Sequence, residues 1–196
     1  MKTGLEELIA SLKRTQLDQG DVAVMMRGRK YAENTLTGAA AKNYLRLAID
    51  EFLFCTEQDA SLITAFPETD YSSSYDTGEQ IKIVSKNTRK DIVAYDAAVK
   101  VNGRPIIIDI RTGNWNNISK KYFTSQHWNR TVPLEDFYGN GNYDRILMLP
   151  EDQAPSTTQC RVHLVKMPFA RDDFFQWAGS MANIYNLKVR ETVLDE

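Results

Sequence analysis

The sequence is poor in soft metal ligands. Two cysteines, Cys55 and Cys160, and two histidines, His127 and His163, occur in 196 residues. That is too few for a zinc finger or a multi-histidine zinc site built from this chain alone, so any bound metal is held mainly by carboxylates. An excess of positive charge is also missing: 24 basic against 26 acidic side chains give a net charge of −2. Nucleic-acid binding therefore needs the basic residues gathered on one face. No apolar run reaches the roughly 18 residues of a membrane-spanning helix. The first twenty residues carry Glu6, Glu7, Lys13 and Arg14 rather than the apolar stretch of a secretory signal. Both cysteines fall in or beside apolar patterns and read as reduced core thiols, so the expected setting is intracellular, in the cytoplasm, with no membrane partner. Neither a GxxxxGK[ST] phosphate loop nor a GxSxG nucleophile elbow is present.

What is present suits one globular domain over 1–196. Hydrophobic residues make up 42%, enough for a substantial core without disulfides. No repeat is visible, and YSSSYDTG (71–78) is the one stretch of low complexity. A short amphipathic helix is expected over 5–13, and 18–36 reads as polar and irregular, with a basic knot at Arg27, Arg29 and Lys30. Ala41, Tyr44, Leu45, Ala48, Phe52 and Cys55 recur at helical spacing, which predicts the strongest helix over 39–55. Strands are expected over 62–66, 80–85, 91–101 and 104–111. A helix over 116–130 follows, stopped before Pro133. Two strands over 145–149 and 161–167 come next, then a closing helix over 172–185 with Asp172 as its N-cap. The order predicts an α/β fold, a central mixed β-sheet flanked by helices. Its core runs from about 39 to 167, with an N-terminal extension over 1–38.

The chemistry points to KDIVAYDAAVKVNGRPIIIDIRTG, 90–113. Asn102-Gly103 between two β-rich runs signals a hairpin, because a type I′ turn needs positive φ at both central residues. If those residues form the loop, Val101 pairs with Arg104, Ala98 with Ile107 and Asp96 with Asp109. Opposed residues point to the same side of a sheet, so Asp96, Asp109 and Arg111 share one face, while Ile106, Ile108 and Ile110 enter a core on the other. Two adjacent carboxylates repel unless a cation lies between them, and a hard ion such as Mg²⁺ or Mn²⁺ suits oxygen ligands. Asp91 is the alternative first aspartate; its parity is opposite, and one β-bulge would reverse that.

Tyr95-Asp96 and Asp109-Ile110-Arg111, closed by Thr112-Gly113, resemble the active-site hairpin of the PD-(D/E)XK superfamily of restriction-endonuclease-like nucleases. That family's helix–strand–strand–strand–helix–strand order fits 39 to about 149. The resemblance implies a metal-dependent nuclease acting on DNA or RNA, with Asp96 and Asp109 as metal ligands. A third carboxylate would come from the preceding helix, Glu51 ahead of Asp50. Arg111 stands where the family carries lysine. Arginine keeps the charge and the phosphate-binding fork, but a guanidinium stays protonated at any working pH, which excludes proton abstraction. It would then stabilise charge at the phosphate, or the lysine has moved to Lys120 or Lys121, or activity is lost. Gln126 matches a glutamine that some members place near the metal, and many members act as homodimers. Lys86, Arg89 and Lys90 could track a nucleic-acid backbone or be ordinary surface. The alternative readings are a degenerate nuclease fold that binds nucleic acid or a protein without cutting, and an interaction protein whose two aspartates are merely solvated.

Overall fold

The structure, a computed structural model, describes residues 3–14, 18–76, 80–119, 127–155 and 162–190. Helix α1 (Gly4–Arg14) forms where expected. The region read as irregular instead holds α2 (Gln19–Met26) and β1 (Lys30–Ala32). Asp18 caps α2 by accepting from the Gly20 amide, and Val22, Ala23 and Met26 are buried. These apolar positions are too few to announce a helix by period, so the helix rests on packing. The long helix α3 (Glu33–Cys55) begins six residues earlier than the expected start at 39, because Leu36 and Thr37 are buried too. Cys55, expected in the core, is exposed at its end, and Cys160 lies outside the described residues.

Among the described residues, five strands form the main sheet in the order β2 (Ala60–Leu62), β6 (Ala97–Val101), β7 (Arg104–Ile110), β8 (Asp144–Leu149), β9 (His163–Lys166). β6 is antiparallel to β2 and β7, whereas β7, β8 and β9 run parallel. Between β2 and β6 the chain forms a second, three-stranded antiparallel sheet of β3 (Tyr71–Asp76), β4 (Gln80–Ser85) and β5 (Asp91–Tyr95). The serine-rich β3 carried no strand signal in the sequence. One face of the main sheet buries Val99, Ile106, Ile108, Ile110, Ile146 and Met148 against α1, α2, α3 and α6 (Arg171–Ile184). The other face, with Ala98 and Ile107, packs with Ile81, Ile83 and Tyr95 of the small sheet and with Leu134 and Phe137 of α5 (His127–Tyr138).

Three further expectations are corrected. A strand over 91–101 breaks at Asp96, where the chain bends from the small sheet into the large one. The helix expected to stop before Pro133 is instead α4 (Trp115–Ser119) and α5 (His127–Tyr138), with Pro133 inside α5. Burying Leu134 fully and Phe137 almost so is worth about 1.5–3 kcal/mol each, enough to offset an interior proline costing about 3 kcal/mol. The N-cap of α6 is Ala170, and Asp172 sits in its first turn, where the dipole favours it. After α6, β10 (Lys188–Arg190) pairs in parallel with β1.

Candidate active site

The hairpin has the register its turn dictates. Val101 pairs with Arg104, Ala98 with Ile107 and Ala97 with Ile108, and φ is +50° at Asn102 and +80° at Gly103. The ladder stops one step before the two aspartates would oppose each other, because Asp96 occupies the bend. Its side chain takes over from the missing strand: Asp96 Oδ2 accepts from the Ile110 amide at 2.9 Å. The next amide, Arg111 N, donates to Met148 O of β8, so the end of β7 is anchored on both sides.

Both carboxylates are out of solvent, the Asp96 side chain at 0% exposure and Asp109 at 1%. Burial of this kind requires cations and donors around the charge. Arg111 spans the pair: its Nη1 donates to Asp96 Oδ2 at 2.6 Å and to the Ile110 carbonyl at 2.7 Å, while Nη2 lies 3.6 Å from Asp109 Oδ1. Asp96 Oδ1 accepts from Gln80 Nε2 at 3.0 Å and lies 3.9 Å from Lys42 Nζ on α3. By register with Ile107, Arg145 of β8 faces the same side as Asp109. It is buried and donates to Thr131 Oγ1 of α5.

A narrow cleft of about 20 Å³ opens beside Asp96, lined by Lys42, Arg46, Asp50, Leu62 and Tyr75 among others. That volume admits a water or an ion rather than a base. Asp50, not Glu51, faces it. Glu51 lies about 140° around the helix from Arg46, on the Tyr44 side, where Tyr44 packs edge-on to Phe169, Phe174 and Trp177. Burial pushes the Tyr44 phenol up to about 12, and the Glu51 charge adds to the rise. The order of preference between the two acids is therefore reversed, since adjacent helical residues cannot share one face.

Asp91 is exposed at the start of β5, opposite Val84 in the small sheet, and does not reach the pair. Lys120, Lys121 and Gln126 lie outside the described residues. Lys86, Arg89 and Lys90 are exposed around the β4–β5 turn, Lys86 paired with Glu68 at 3.3 Å. Lys90 is six residues before Asp96, roughly 20 Å of extended chain, so this cluster does not converge on the carboxylates. Sequence reasoning missed Lys42, Gln80, Arg46 and Arg145. A signal existed for the first and third: Lys42, Arg46 and Asp50 recur every four residues, a charged stripe along a helix that is otherwise largely buried.

Asp96, Asp109 and the Ile110 carbonyl present oxygen donors only, the set a hard cation prefers. Among the described residues no group of three or more His, Cys, Asp or Glu is placed to hold a metal ion. Mg²⁺ is usually bound through one or two carboxylates with water completing its shell, so a two-aspartate site suits it. No family model and no curated protein matches the sequence.

Proposed function

We propose that this chain is a metal-dependent nuclease of the restriction-endonuclease-like type, hydrolysing phosphodiester bonds of DNA or RNA with Mg²⁺ or Mn²⁺. The observation that carries the reading is the convergence of Asp96, in the bend before β6, and Asp109 of β7, with Arg111 and Lys42 beside them. The element order supports it. With β3–β5 and the short α4 set aside, α3, β2, β6, β7, α5 and β8 run in the order helix–strand–strand–strand–helix–strand, with β8 parallel to β7. The small sheet is then an insertion between the first two core strands.

Asp96 and Asp109, with the Ile110 carbonyl, would hold the divalent ion. When bound, it supplies charge neutralisation at the scissile phosphate and activation of water. Arg111 presents a planar fork that matches two phosphate oxygens. Its pKa keeps it a permanent cation rather than a base. Lys42 offers a second, compact charge from the α3 side. The burial of both aspartates keeps water from screening these charges.

Incubation of single- and double-stranded DNA and RNA with Mn²⁺ tests the reading. Cleavage is expected, lost in Asp96→Asn and Asp109→Asn. No cleavage of any of the four, together with no heat of divalent-ion binding, sinks it.

One observation favours a second reading, a degenerate nuclease fold that binds nucleic acid or a protein without cutting: a guanidinium already fills the place between the carboxylates. Arg111→Lys separates the two readings. Cleavage gained or enhanced marks a degenerate site, and cleavage lost marks arginine as functional.

A further inference from the structure

We infer that Arg111 is a built-in counter-ion that occupies the cation position between Asp96 and Asp109 and must be displaced before a divalent ion can bind. Once displaced, its guanidinium is released to take a substrate phosphate. The inference rests on the nuclease reading and adds a coupling between cation and anion at that site.

Three oxygens converge on the guanidinium. Nη1 lies 2.6 Å from Asp96 Oδ2 and 2.7 Å from the Ile110 carbonyl, and Nη2 lies 3.6 Å from Asp109 Oδ1. These are the oxygens a hard ion would use. A metal at oxygen-ligand distances of about 2.0–2.1 Å and an arginine nitrogen at 2.6 Å cannot share Asp96 Oδ2, on grounds of both volume and charge. Of the remaining partners of Asp96, Gln80 and Lys42 approach the other oxygen, Oδ1, and the Ile110 amide donates to Oδ2, where it takes one of the two acceptor positions and leaves the one Arg111 holds. Arg111 is the member of the trio with a path to solvent, because its side chain is 27% exposed while both acids are closed off. A tetrahedral oxyanion offers it the bidentate partner it gives up. Cation and anion therefore bind with positive coupling, and the coupling is reciprocal.

Calorimetric titration with Mn²⁺ tests this on the wild-type chain, Arg111→Gln, Arg111→Lys and Asp96→Asn, each with and without sulfate as a soluble stand-in for a phosphate group. Arg111→Gln should bind Mn²⁺ about tenfold tighter than wild type or better. Sulfate should tighten Mn²⁺ binding about fivefold or more in the wild type and leave Arg111→Gln unchanged. Should Arg111→Gln fold only with Mn²⁺ present, seen as a melting transition restored by the ion, the same competition is demonstrated. Arg111→Lys keeps the charge but cannot span both acceptors, so it must also bind Mn²⁺ more tightly than wild type. Asp96→Asn should abolish the binding in every background. Equal Mn²⁺ affinity in wild type, Arg111→Lys and Arg111→Gln overturns the counter-ion role and leaves the nuclease reading standing. An absence of Mn²⁺ binding in all of them overturns both.

Discussion

Arg111 carries more structural responsibility than an exposed motif residue would. Replacing it with methionine leaves two carboxylates buried without their shared cation, a loss of about 3–5 kcal/mol, read from urea unfolding at neutral pH. Lys42 is different: its side chain is 30% exposed and 3.9 Å from its partner. Lys42→Met should cost less than about 1 kcal/mol in the same experiment, so any larger effect on cleavage would be chemical rather than structural. Glu51 belongs to another neighbourhood. Because the folded Tyr44 pKa is raised from 10.0 to about 12, its contribution is complete below pH 10 and is lost as pH climbs through the folded value. Glu51→Gln should lower the phenol pKa and narrow that window, visible in an ultraviolet titration of tyrosinate, with no change in divalent-ion binding.

At the level of elements, the hairpin was legible because two local rules agree: a turn that demands Asn-Gly, and a side-chain period of two. Its register and both of its faces follow from them. Gly103, at φ +80°, is the residue that turn depends on, and Gly103→Ala should cost about 1 kcal/mol by thermal melting. The break at Asp96 was not legible, since the ten residues around it read as one strand and only the second sheet explains why they bend. Asp50 displacing Glu51 is a tertiary fact of the same kind: period 3.6 fixes which residues share a face, but not which face the site takes. β1 and β10 lie more than 150 positions apart and pair over three residues each, below anything a local pattern can announce. Pro133 shows packing overriding a local rule. Leu134→Ala should cost about 2–5 kcal/mol, whereas Pro133→Ala should stabilise the chain by about 1 kcal/mol or more.

For the whole molecule, the near-neutral charge becomes a matter of placement. Arg111, Lys42 and Arg46 stand at or beside the carboxylates while the exposed lysines of the β4–β5 turn lie elsewhere, so on the nuclease reading proposed above any nucleic-acid affinity should be local and modest. Removing Lys42 and Arg46 together should reduce the salt slope of binding by about 2, measured by fluorescence titration across ionic strengths. The bend at Asp96 has a mechanical consequence as well. The chain leaves the small sheet at Tyr95 and enters the large one at Ala97, and the one residue between them bonds to Ile110 across the main sheet and to Gln80 at the root of β4. A single carboxylate thus rivets the two sheets at the joint where they meet. Whatever grips or releases Asp96 slackens or tightens that rivet, and the hairpin of Tyr71–Asp76 and Gln80–Ser85 should register the change as altered amide exchange, although it touches neither cation nor phosphate.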